Sequence, residues 1–170
     1  VKTHKDQTYI VLLGANDIIQ NFHQGGSISK ADNLPKALLG ILGATADGDS
    51  YTFSGKGTMD TLVDTILKAK STKQVVVMGL IPPGRTQFAA ADHAAIADFN
   101  KALEAWAKKK GARYVAPGAG TVDVAVSPAD PYGALVSPKQ RVDWIHPGTQ
   151  TNLIMAGNLA KALGYSGRTA

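Results

Sequence analysis

Asp143-Trp144-Ile145-His146-Pro147 places a carboxylate three residues before an imidazole. Histidine titrates near neutral pH and can serve as a general base. An aspartate one turn of chain earlier can reach its Nδ1 proton. That contact fixes the tautomer and steadies the imidazolium formed when the base takes a proton. A second group is Gly14-Ala15-Asn16-Asp17. Glycine lets the backbone turn closely, the Asn16 amide can donate to an oxyanion, and Asp17 can hold the loop by accepting backbone N–H bonds. The third is Gly48-Asp49-Ser50-Tyr51-Thr52, which reads as a block around a serine nucleophile. Each group also has a plainer reading. Asp-x-x-His serves as a surface carboxylate beside a helix-capping histidine, Gly-x-Asn-Asp as an Asx turn ending a strand, and Gly-Asp-Ser as a polar loop.

Groups that act together need elements that converge. Tyr9–Leu13 is a continuous apolar run ending at Gly14, Gln74–Gly79 another closed by Pro82-Pro83, and Arg113–Ala116 a third closed by Pro117-Gly118. Short β-branched runs bounded by Gly and Pro suit buried parallel strands. Met59, Leu62, Val63, Ile66 and Leu67 recur at helical spacing behind Thr58 as the expected N-cap. Ile96, Phe99, Leu103 and Trp106 form a second stripe stopped by Gly111, and Leu153, Ala156, Ala160 and Leu163 a third stopped by Gly164. Residues 33–43 add a short helix or turn. Strands alternating with helices predict an α/β fold with a parallel sheet. In such a sheet the working site lies beyond the carboxyl ends of the strands. That rule gathers Gly14–Asp17, Gly79–Arg85 and the long loop 117–148 at one edge.

The 170 residues suffice for one domain with a sizeable core, and we read 1–170 as a single domain. An apolar content of 44% with 18% charged residues is ordinary for a globular chain. No run of about 18 apolar residues suggests a membrane span. There is no cysteine, hence no disulfide, thiolate metal site or thiol nucleophile, and the lack does not assign a compartment. The net charge of +5 is densest at Lys108-Lys109-Lys110. That cluster closes a predicted helix, where cations oppose the helix dipole, and no aromatic residues interleave with it as a nucleic-acid platform would need. His4, His23 and His93 have no partners at metal-ligand spacing, so no metal site and no cofactor are expected.

YIVLLGAND, then VVVMGLIPP, then DWIHP before a C-terminal helix resembles the SGNH, or GDSL, hydrolase family in order and spacing over residues 6–164. The resemblance implies a three-layer α/β/α domain of flavodoxin-like type, of which this chain would be the C-terminal two-thirds. It implies a serine esterase acting on acyl lipids or on acetyl groups of carbohydrates. Asn16 matches the oxyanion asparagine, Gly14 the glycine of the same block, and Asp143 and His146 the acid and base of the triad. The absence of a large apolar surface favours a carbohydrate substrate. The rival expectation is a catalytically inactive SGNH-like domain that binds glycan or scaffolds an assembly.

One departure is large. In the family the serine block and two strands precede Gly-x-Asn-Asp, whereas here the Gly-x-Asn-Asp strand comes almost first. Ser50 fills the gap only out of order. A nucleophile elbow needs a buried strand running straight into the serine, and the approach here, Gly43–Gly48, is polar. Tyr9–Leu13 would also be left as a bare apolar sheet edge. We therefore expect a second polypeptide, such as the front half of a cleaved precursor, to supply the missing strands and the serine.

Overall fold

The structure, a computed structural model, describes residues 7–13, 33–70, 72–81, 90–117 and 149–165. Its elements are β1 (Gln7–Val11), α1 (Asn33–Leu42), β2 (Ala44–Asp47), β3 (Ser50–Phe53), α2 (Thr58–Lys68), β4 (Thr72–Met78), α3 (Ala90–Lys110), β5 (Arg113–Val115) and α4 (Thr149–Ala162). β1, β4 and β5 form a parallel sheet with β4 in the middle. Val11 lies opposite Val77, and Val76–Met78 lie opposite Arg113–Val115.

Side chains alternate along β4, and both of its faces are covered. Val75 and Val77 enter a core with Leu38, Ile41, Val63, Phe99 and Trp106, which come from α1, α2 and α3. Val76 and Met78 turn the other way, onto Val115 and onto Met155 and Leu159 of α4. The result is three layers, helix–sheet–helix, with the predicted parallel sheet in the middle. β1 is less well covered. Val11 is buried, but Ile10, Leu12 and Leu13 stay 49%, 48% and 50% exposed. Among the described residues β1 pairs only with β4.

The predicted helix stops are seen at Gly111 and Gly164, which take φ of +72° and +83°. At each, the glycine N–H and the next N–H return to carbonyls of the last turn: Gly111 to Lys108 and Ala112 to Ala107, then Gly164 to Lys161 and Tyr165 to Ala160. This is the Schellman closure.

Two expectations need correction. The N-cap of α2 is Gly57 and not Thr58. A side chain at Gly57 would strike the backbone of Ile41, Leu42 and Gly43, so only glycine lets the two chain segments approach so closely. Capping then comes from inside the helix, where the Asp60 carboxylate accepts the Gly57 N–H at 2.9 Å. The second correction concerns residues 44–53, predicted as polar loop. They form an antiparallel hairpin, with Ala44 opposite Phe53 and Asp47 opposite Ser50. Its two-residue turn is Gly48-Asp49, with Gly48 at φ +58° and Asp49 at negative φ. A hairpin that twists with its strands requires positive φ at the first turn position, and glycine there takes it without strain.

Candidate active site

Leu12 and Leu13 follow β1, Gly79 to Ile81 follow β4, and Ala116 and Pro117 follow β5. All of them stand at the carboxyl edge of the parallel sheet. The chain leaving β4 is tightly held. Gly79 donates its N–H to Val115 O at 3.0 Å. Leu80, which is buried, donates its N–H to Asn100 Oδ1 at 2.7 Å, and its carbonyl accepts from Asn100 Nδ2 at 2.8 Å. A side chain at Gly79 would run into the Tyr114 hydroxyl and approach Pro117 to 2.8 Å. Burial pushes the Tyr114 phenol up to about 12, with the Glu104 carboxylate adding to the shift.

Ser50 is the one sequence-predicted site residue within the described residues, and it is exposed at the hairpin turn. Its Oγ donates to Asp47 O at 2.7 Å, closing the turn. Tyr51, its neighbour, donates to Asp98 O of α3 at 3.2 Å. Asp98 and Lys101 are an exposed ion pair at 3.1 Å on the outer side of α3, whereas Asn100 between them reaches inward to Leu80. The hairpin therefore packs beside α3, with Tyr51 and Phe53 against the core and the Ser50 end exposed. This is not the strand-to-helix elbow of a serine nucleophile. Gly14, Asn16, Asp143 and His146 lie outside the described residues. Gly14 directly follows Leu13, and His146 comes three residues before α4 begins.

Sequence reasoning missed Asp60, whose side chain is fully buried. Besides capping α2, it accepts from Trp106 Nε1 at 3.1 Å and pairs with Lys110 Nζ at 2.6 Å. Lys110 also reaches Asp64 at 2.8 Å. Burial works against the Lys110 ammonium, but the hydrogen bonds and charges of Asp60 and Asp64 outweigh it and hold its pKa above the usual lysine value. The readable signal was an acidic residue three positions past a glycine at a helix start. The basic cluster is thus more than a dipole counterweight: Lys110 closes this buried network, and Lys109 lies 5.4 Å over the Phe53 ring. Among the described residues no group of acids and histidines could hold a metal, and no helix is long and apolar enough to cross a membrane.

The sequence pattern of the GDSL-like Lipase/Acylhydrolase family matches residues 1–152. The chain belongs to that family. The solved structure of LAE5, an alpha/beta hydrolase enzyme from the metagenome of Lake Arreo, Spain, is similar to it with a TM-score of 0.56 at 17% identity. At that identity the likeness concerns the fold. It covers 96% of the GDSL-like chain and 62% of LAE5, so the chain spans less than two thirds of that protein's length. No curated protein matches it.

Proposed function

We propose that this chain carries the acid, base and oxyanion parts of a serine ester hydrolase that removes acetyl or other acyl groups from a carbohydrate. The reading rests on one observation: family membership together with Gly14-x-Asn16-Asp17 after an edge-forming strand and Asp143-x-x-His146 before the last helix. His146 takes the proton of the attacking serine, and Asp143 orients the ring and steadies its charged form. The Asn16 amide and the Gly14 N–H donate to the tetrahedral oxyanion. An acyl-enzyme forms, the alcohol leaves with the proton from His146, and a water activated by His146 clears the acyl group. No cofactor enters this scheme.

Two observations favour a serine from a further polypeptide segment over Ser50. The Ser50 hydroxyl is committed to an exposed hairpin turn. The β1 edge has apolar side chains about half exposed, which an added strand would cover. The inactive glycan-binding domain is the second reading. It is favoured by the fact that none of the described serines stands on a turn from a parallel-sheet strand into a helix.

Labelling the purified material with a fluorophosphonate and mapping the modified peptide tests the scheme. The expected label falls on a peptide outside this sequence and disappears in His146→Ala, together with a loss of about 10³-fold or more in acetyl-ester turnover. A label on Ser50 would replace the external serine with a rearranged triad. No label and no turnover would leave the binding domain as the function.

A further inference from the structure

The apolar stripe of α3, Ile96, Phe99, Leu103 and Trp106, is interrupted on its inward side by one amide, Asn100. Asparagine is a poor residue for a helix interior, since its side chain competes for backbone hydrogen bonds. Here it serves backbone outside the helix. Its Oδ1 takes the Leu80 N–H at 2.7 Å and its Nδ2 gives to the Leu80 carbonyl at 2.8 Å. One planar group thus supplies both bonds that a neighbouring strand would exchange with a residue in the ladder. β5 provides no such partner for Leu80, because the ladder reaches only Met78 opposite Val115. The amide orientation is fixed by this pairing, since the reverse would set donor against donor and acceptor against acceptor. Gly79 completes the arrangement, because the Asn100 amide would lie 3.1 Å from any side chain placed there.

We propose that Asn100 is a positioning residue that fixes the path of the chain leaving β4 and, with it, the carboxyl edge of the sheet beside Leu12 and Leu13. Parallel register connects the two: Val11 lies opposite Val77, so the segment after β1 and the segment held by Asn100 leave the sheet side by side. Asn100 reaches no substrate in this role. It sets the backbone beside Leu12 and Leu13, the described residues that lead to Gly14. The catalytic part of the inference rests on the ester-hydrolase reading, whereas the fixing of Leu80 does not.

The test uses Asn100→Ala and Asn100→Asp in the purified protein, with any co-purifying chain retained. Amide exchange at Leu80 is read as a protection factor, with Val76 and Val77 as the folding control. In Asn100→Ala protection at Leu80 should fall about tenfold or more while the controls hold. In Asn100→Asp the side chain can both accept and donate only as the protonated acid; ionised, it still accepts the Leu80 N–H but sets its second oxygen against the Leu80 carbonyl. Leu80 protection should therefore be near wild type at pH 4 and lower at pH 8, a dependence absent from the wild type. Acetyl-ester turnover at pH 8 should show kcat down about tenfold in both variants with KM within about threefold. Unchanged Leu80 protection in both variants would overturn the inference, and so would lost protection with unchanged kcat. If the wild type neither turns over ester nor takes the fluorophosphonate, the ester-hydrolase reading has failed, and the exchange arm alone decides whether Asn100 fixes the edge.

Discussion

Asp60 shows how much one side chain can hold. Its two oxygens serve the Gly57 N–H, the Trp106 indole and the Lys110 ammonium, joining the start of α2 to the end of α3. Removing this carboxylate leaves the Gly57 N–H and the Trp106 indole without their acceptor, at about 1–3 kcal/mol each, while Lys110 keeps Asp64. Asp60→Ala is therefore expected to lower the thermal midpoint by roughly 10 °C or more. Asp60→Asn should cost less, because the amide oxygen still accepts one of the three donors. Differential scanning calorimetry of the two variants checks both statements, and equal midpoints would contradict them. Ser50 carries the opposite lesson. Gly48-Asp49-Ser50 matches a nucleophile block by residue type, yet the same three residues are what a tight hairpin turn requires, and the structure uses them so.

At the scale of elements, β4 and α3 were legible because local and global demands agree. Val75 to Met78 form an unbroken apolar run, as a strand buried on both faces must, and the stripe on α3 ends at a glycine that closes the helix. The hairpin was not read, although Gly-Asp between two short strands is a turn signal in its own right. Its strands are short, and one face of β2 is polar or small, so periodicity carried little weight. Ala44 is buried while Thr45 to Asp47 are exposed. The clamp on Leu80 was illegible for a different reason, since it joins residues 20 positions apart and no local pattern announces it. Of the proposed site residues, Asn16, Asp143 and His146 were nominated by the Gly-x-Asn-Asp and Asp-x-x-His motifs and by the family resemblance, and all three lie outside the described residues.

β5 carries a prediction of its own. Burial raises the Tyr114 phenol from 10.0 to about 12, so between those values the folded state keeps a proton that the unfolded chain gives up. That contribution to stability is fully present below pH 10 and is lost as pH rises through about 12. The raised Lys110 acts in the same direction. Urea midpoints measured from pH 9 to 12 should fall with pH, and Tyr114→Phe should flatten the fall. An identical slope in the variant would assign the loss elsewhere.

At the scale of the molecule, the sheet is unevenly covered among the described residues. One face of β4 is sealed by three helices and the other by α4, while β1 keeps Ile10, Leu12 and Leu13 half in solvent. A strand with such an edge recruits another strand. The chain by itself should therefore sediment as larger species as its concentration rises, and Ile10→Lys should shift it toward the monomer. Sedimentation independent of concentration in the unsubstituted chain would show that the edge is already satisfied. β1 also stands apart in time. It meets β4 by pairing residue 7 with residue 72, whereas β4 meets β5 by pairing 76 with 113. The extra loop closure costs only about 0.5 kcal/mol, since the longer span is less than twice the shorter. The thin cover of β1 widens that gap, because less apolar burial rewards its arrival. The folding nucleus should accordingly form around β4, α3 and β5, with β1 docking afterwards and detaching first. The strand that precedes Asn16 would then be the last part of the sheet to be set, and a chain caught just short of that step would be compact yet without the oxyanion donor proposed above.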